Sequence, residues 1–145
     1  MNKTLITFFT VLFCLTSSIG WSVTMDDLIK RDDLYYKKFS DVPYTGKIEG
    51  LWSYTNSEVQ GSFKDGKKAG TWLYYWKKGQ LKSKGNFKND KKEGLTLRYS
   101  GYGKLLERGN YINDKRNGTW IIDNQDGTLN IKLSGTYKNG KKISE

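Results

Sequence analysis

Residues 61–99 read GSFKDGKKAGTWLYYWKKGQLKSKGNFKNDKKEGLTLRY, and the same phrase occurs in them twice. Gly61-Ser-Phe-Lys-Asp-Gly-Lys-Lys-Ala-Gly-Thr-Trp-Leu-Tyr-Tyr is answered 24 residues later by Gly85-Asn-Phe-Lys-Asn-Asp-Lys-Lys-Glu-Gly-Leu-Thr-Leu-Arg-Tyr. A third copy, GNYINDKRNGTWIID, starts at Gly109, and a partial fourth, GTYKNGKK, starts at Gly135, so the spacings are 24, 24 and 26 residues. A fixed period of this size marks a repeat architecture, in which each unit buries its apolar face only against its neighbours. Upstream, Gly46-Lys-Ile-Glu-Gly-Leu-Trp-Ser-Tyr reads as a degenerate unit with a shortened turn, an alignment that sets Trp52 in register with Trp72 and Trp120.

Within a unit the pattern is that of strands. In Leu81–Lys88 the residues alternate, and successive side chains of a strand point to opposite faces. Leu81, Ser83, Gly85 and Phe87 therefore share one face, and Lys82, Lys84, Asn86 and Lys88 share the other. Asp65-Gly66, Asn89-Asp90 and Asn139-Gly140 supply residues that tolerate positive φ, as tight hairpins require. The runs that follow them, such as Thr71–Trp76 and Leu95–Tyr99, are rich in aromatic and β-favouring residues. Lys78-Gly79, Tyr102-Gly103 and Asp126-Gly127 then turn the chain into the next unit. The expected fold is all-β, an antiparallel meander of stacked β-hairpin repeats. Phe63, Phe87, Tyr111 and Tyr137 form one column of rings, and Trp52, Trp72 and Trp120 a second that Thr96 interrupts. Pro43 stands outside the ladders, where the missing donor does no harm.

The chain has 145 residues and a net charge of +10. Residues 1–20 carry one charge at Lys3, an apolar run from Leu5 to Leu15 and small polar residues before Gly20, the pattern of a cleavable signal peptide. Cleavage is expected near Gly20 or Ser22, with a retained anchor helix as the alternative. Bulky Phe13 before Cys14 argues against lipid attachment. Loss of this leader removes the one cysteine and leaves a charge of +9, so no disulfide staples the mature chain. The expected organisation is a signal peptide over 1–20, an irregular N-terminal cap over 21–45 and hairpin repeats over 46–145. Helix signals are nearly absent beyond the leader, with Asp26–Arg31 the one stretch suited to a short turn. The chain is expected to be exported, periplasmic or secreted.

The phrase Gly-x-aromatic-Lys-x-Gly/Asp-Lys-Lys/Arg-x-Gly-x-Trp resembles the MORN repeat, and the chain from Leu28 to Lys142 resembles the bacterial YwqK-family antitoxin proteins, including their leading segment in RDDLYYKKFSDVPYTGKIEG. This resemblance implies a stacked hairpin fold and a module that binds protein partners or lipid, with antitoxin-like action as a family association. The chain departs from the MORN pattern at Ala69, Glu93 and Asn117, where a His is usual, and at Val59, Ser83, Glu107 and Leu133, where an aromatic residue is usual.

Histidine is absent from the sequence, which excludes histidine-based triads, and without a mature cysteine there is no thiol nucleophile. No catalytic, cofactor-binding or metal-binding residue is expected, and Asp26-Asp27 and Asp32-Asp33 read as solvated surface. No nucleic-acid-binding signature is present. The candidate partner-binding residues are the rings Tyr74, Tyr75, Trp76 and Tyr99 and the lysines Lys67, Lys68, Lys91 and Lys92. Paired basic residues recur at each hairpin turn, so they should line one rim. The expected function is a non-enzymatic protein-binding scaffold. The alternative is attachment to an anionic membrane or cell-wall polymer, since the Gly-Thr-Trp-Leu-Tyr-Tyr hairpins also resemble choline-binding wall repeats.

Overall fold

The structure, a computed structural model, describes residues 22–144, so the leader read over residues 1–20 lies outside them. A 3-10 turn, Met25–Asp27, leads into a small hairpin of β1 (Leu28–Arg31) and β2 (Leu34–Lys37). The rest is one antiparallel sheet of ten strands. These are β3 (Gly46–Trp52), β4 (Ser57–Lys64), β5 (Lys67–Tyr75), β6 (Leu81–Lys88), β7 (Lys91–Lys92), β8 (Gly94–Tyr99), β9 (Leu105–Ile112), β10 (Lys115–Ile122), β11 (Gly135–Lys138) and β12 (Lys141–Ser144). They lie in chain order as a meander, with β7 and β8 both pairing β6. The all-β hairpin meander expected from the sequence is the fold.

Turn chemistry builds it. At the two-residue tips of the repeats both central residues have positive φ: Asn89 and Asp90 at 51° and 67°, Asn113 and Asp114 at 49° and 64°, Asn139 and Gly140 at 52° and 85°. Such turns match the twist of the strands they join. Where Asp replaces Gly it has a second task, because Asp90 Oδ1 accepts a hydrogen bond from the Lys68 backbone N–H at 2.8 Å and Asp114 Oδ1 from that of Lys92 at 2.7 Å. The backbone N–H groups of Gly66, Asp90, Asp114 and Gly140 in turn donate to the carbonyls of Tyr44, Lys68, Lys92 and Arg116. Every tip is thus stapled to the unit before it.

Register corrects one expectation. Trp72 stands opposite Gly85, Thr96 opposite Gly109 and Trp120 opposite Gly135, and the residue opposite Gly61 is Ile48. The column is therefore Ile48, Trp72, Thr96, Trp120. Trp52 lies four residues beyond it, at the position of Trp76. The reason is that Gly46 corresponds to the second glycine of a unit, with Gly70, Gly94 and Gly118, and the first unit lacks its opening strand.

Each tryptophan lies flat over the glycine of the preceding strand. A methyl group at Gly61 would fall inside the Trp72 indole, and one at Gly109 inside that of Trp120. Trp72 Nε1 donates to the Ser62 carbonyl at 3.2 Å and Trp120 Nε1 to the Asn110 carbonyl at 3.0 Å, so both rings are fully buried with their polar atom satisfied. Rings of the other column meet them edge-on. Phe63 and Phe87 flank Trp72 at centroid distances of 5.1 and 6.1 Å, and Tyr111 and Tyr137 flank Trp120 at 4.9 and 6.4 Å.

The N-terminal cap is ordered rather than irregular. Met25, Leu28 and Tyr44 join Ile48, Val59, Phe63 and Trp72 in one apolar cluster, with Tyr35 4.7 Å from Phe63. The Glu49 N–H donates to the Val23 carbonyl, which covers part of the outer edge of β3. The acidic pair fastens this cap: Asp26 accepts hydrogen bonds from the Ser53 N–H and hydroxyl, both at 2.9 Å. Asp27 accepts from the Thr24 N–H and hydroxyl, both at 2.8 Å, and those bonds hold its carboxyl below the usual range. At the other end, Trp120, Ile122 and Tyr137 form a second cluster. Residues 131–133 lie over it, their carbonyls receiving Tyr137 Oη and Lys142 Nζ.

Candidate functional site

Between these two clusters the ring column fails. The middle unit has Thr96 where its neighbours have tryptophan, and the nearest atoms to a methyl group at Gly85 would be those of the Thr96 side chain, Oγ1 first at 3.2 Å. Here a cavity of about 340 Å³ opens. Gly85 and Thr96, in contact across β6 and β8, line it together with the rings of Tyr74, Phe87 and Tyr111 and the polar residues Lys92, Arg98 and Glu107. Thr96 Oγ1 is buried and has no hydrogen-bond partner among the described residues. A volume in the range of small-ligand sites, about 300–1,000 Å³, with ring walls and a few convergent polar groups, is the usual form of a binding site.

The charges around it are fixed. Arg98 stands where the preceding unit has Tyr74, and its Nε donates to Glu107 Oε2 at 2.8 Å. Arg116 Nη2 donates to Glu107 Oε1 at 2.7 Å, and the Glu107 side chain is only 14% exposed. One carboxylate thus holds two guanidinium groups and leaves the margin net positive. A half-buried bridge of this kind orients its members more than it stabilises the fold.

The basic pairs at the turns do not act alike. Lys67, Lys91, Lys115 and Lys141 are exposed, as a rim requires, whereas Lys68, Lys92 and Arg116 are folded onto rings and Lys142 onto the carbonyls of Ile131 and Lys132. Lys68 Nζ sits 4.3 Å above the Trp72 ring and donates to Tyr74 Oη at 3.0 Å, and burial pulls its ammonium below the usual lysine range. Lys92 Nζ lies 4.9 Å above the Tyr111 ring, and the Arg116 guanidinium 4.5 Å above that of Trp120. These are cation–π contacts in which the stem also covers apolar surface. The rim expected from both members of each pair is built by one alone.

Nor do the predicted site residues make one patch. Lys67, Lys68, Lys91 and Lys92 lie at the hairpin tips, and Tyr75, Trp76 and Tyr99 at or beyond the opposite ends of β5 and β8, roughly 25 Å away at the rise of a strand. Tyr74 belongs to the core face, stacked 6.0 Å from Trp72, with its hydroxyl pushed up to about 12 by burial. Tyr75 faces the other way and reaches Gln60. Trp76 closes a turn through its backbone N–H to Gln80, carries Lys82 Nζ 4.6 Å above its ring, and lines two shallow grooves near Tyr102 and Asn56.

At three residues of the central cavity, Arg98, Glu107 and Thr96, the middle copy departs from its neighbours. The departures at Thr96 and Glu107 are visible in the repeat alignment. That they share one cavity follows only from the register, which pairs Arg98 with Glu107 and with Ser83 across adjacent strands. Among the described residues no group of three His, Cys, Asp or Glu side chains comes together. Compared with known proteins, the chain matches no family model and no curated protein.

Proposed function

We propose that this chain is a non-enzymatic binding scaffold of the MORN-like kind, exported by its leader, that docks a protein partner on the ring face of its sheet. The observation that supports it is the opening at the middle unit: both ends of that face are covered by the chain itself, and the centre presents rings and cations around a cavity. Tyrosine, tryptophan and arginine in such a setting are the residues that dominate protein interfaces. An antitoxin-like role, inhibiting a partner by occupying it, fits the same surface. Co-purification from envelope extract tests the reading. A partner retained by the wild-type protein should be lost from Lys92→Glu/Arg98→Glu, with circular dichroism unchanged; retention by that variant would count against it.

A second reading draws on the opposite end of the strands. Tyr54 and Tyr102 are 87% and 101% exposed there, Tyr102 in one groove with Trp76, Lys77 and Lys78. Rings interleaved with lysines suit an anionic membrane or wall polymer. Such attachment should fade as salt rises, since screening acts over about 8–10 Å at physiological ionic strength. Sedimentation with anionic vesicles at low and high salt separates it from a packed protein contact.

A further inference from the structure

The two filled units show what the middle one is shaped to hold. Around Trp72 and Trp120 the surroundings are the same: a glycine beneath the ring, one aromatic ring edge-on from each side, a cation above, and a carbonyl one residue after the glycine that accepts the indole N–H. The middle unit keeps most of this. Gly85 is the floor, Phe87 and Tyr111 are the flanking rings, Lys92 is the cation, and Asn86 follows the glycine. Only the indole is replaced, by Thr96. Phe87 packs with the first cluster and Tyr111 with the second, and both line the space between them.

Charge narrows the occupant. Lys92 and Arg98 line the cavity against one carboxylate, Glu107, which is already committed to Arg98 and Arg116, so the margin carries net positive charge. Resting on the scaffold reading above, we propose that this cavity receives an aromatic side chain, tryptophan above all, carried by an acidic segment of the partner protein. The ring takes the place that Trp72 and Trp120 take in their own units, and the flanking carboxylates meet Lys92 and Arg98. A buried aromatic anchor ringed by opposite charge gives both affinity and steering.

The test is a titration of the full ¹⁵N-labelled chain with two peptides, Ac-EDWDE-NH₂ and Ac-EDADE-NH₂, and with N-acetyl-tryptophanamide. The proposal expects saturable shifts centred on Gly85, Thr96 and Tyr111, at least tenfold weaker binding of the alanine peptide, and weaker binding of the uncharged amide than of the acidic tryptophan peptide. Thr96→Trp, which fills the cavity from within, should abolish those shifts while its spectrum stays dispersed; Thr96→Leu serves the same purpose with a smaller side chain. Equal binding of both peptides, amide binding as tight as that of the tryptophan peptide, unchanged binding to Thr96→Trp or Thr96→Leu, or shifts confined to Trp76 and Tyr102 would each overturn it. If a partner co-purifies with wild type and equally with Thr96→Trp, the scaffold reading stands and this assignment fails.

Discussion

The outer repeats and the middle one share a backbone, a turn chemistry and a ring column, yet they spend the same position differently. In the outer units a tryptophan seals the space above a glycine and the unit becomes core. In the middle unit a threonine leaves that space open, and the apolar interior is divided into two clusters. The lesson is that in a repeat protein a single departure from the consensus, at a position whose neighbours stay constant, makes a site without building new scaffold. Continuity is held elsewhere, by the hairpin tips stapled from unit to unit and by the Arg98–Glu107–Arg116 bridge across β8, β9 and β10.

The comparison breaks most visibly if a filled unit is emptied. Trp72→Ala or Trp120→Ala should each cost about 3–5 kcal/mol, as large aromatic truncations in cores do, read as a lower urea midpoint. The opposite change sharpens it: Thr96→Trp should gain about 1–2 kcal/mol, the usual return from filling a cavity, and its indole N–H should slow in hydrogen exchange. Next in size is the staple. Asp114→Ala removes the acceptor for the Lys92 N–H at a residue with φ of 64°, and should cost about 1–2 kcal/mol. Asp114→Asn, which keeps an oxygen and tolerates that φ, should recover most of it.

The smallest effect is one of pH. Tyr74 ionises at about 12 in the folded chain and near 10 when unfolded, so its folded-state value is raised. Its contribution is complete below pH 10 and lost as pH rises from 10 towards 12, because the unfolded chain releases its proton first. Stability of Tyr74→Phe should therefore fall less steeply over that interval than that of the wild type. Part of the slope should remain, since burial also raises Tyr44.

How much of this the sequence showed depended on whether the signal was local. The period, the alternation in β6 and the Asn-Asp and Asn-Gly tips are properties of consecutive residues, and they led directly to the meander. The Thr96 interruption was equally plain. What escaped was set by pairing across strands. Trp52 was matched to Trp72 through the wrong glycine, since only the ladder shows that Ile48 faces Gly61. Both members of each basic pair looked like rim, but Lys68, Lys92 and Arg116 lie over aromatic rings and Lys142 reaches backbone carbonyls. The candidate rings Tyr75, Trp76 and Tyr99 and the candidate lysines lie at opposite ends of the strands, a distance that residue type does not reveal. Asp26 and Asp27 seemed free surface because their hydrogen-bond partners, Ser53 and Thr24, become recognisable only once the cap is folded onto β3.

Alanine at the three equivalent glycines, Gly61, Gly85 and Gly109, measured together by urea denaturation, tests the unequal filling of the column most directly, since none of the three has a φ that disfavours alanine. Gly61→Ala and Gly109→Ala must displace an indole and should lose about 2–3 kcal/mol, in the upper part of the overpacking range, whereas Gly85→Ala should lose under about 1 kcal/mol. Equal losses at all three would mean that the middle unit is packed like its neighbours, and that no ring-sized space exists above Gly85.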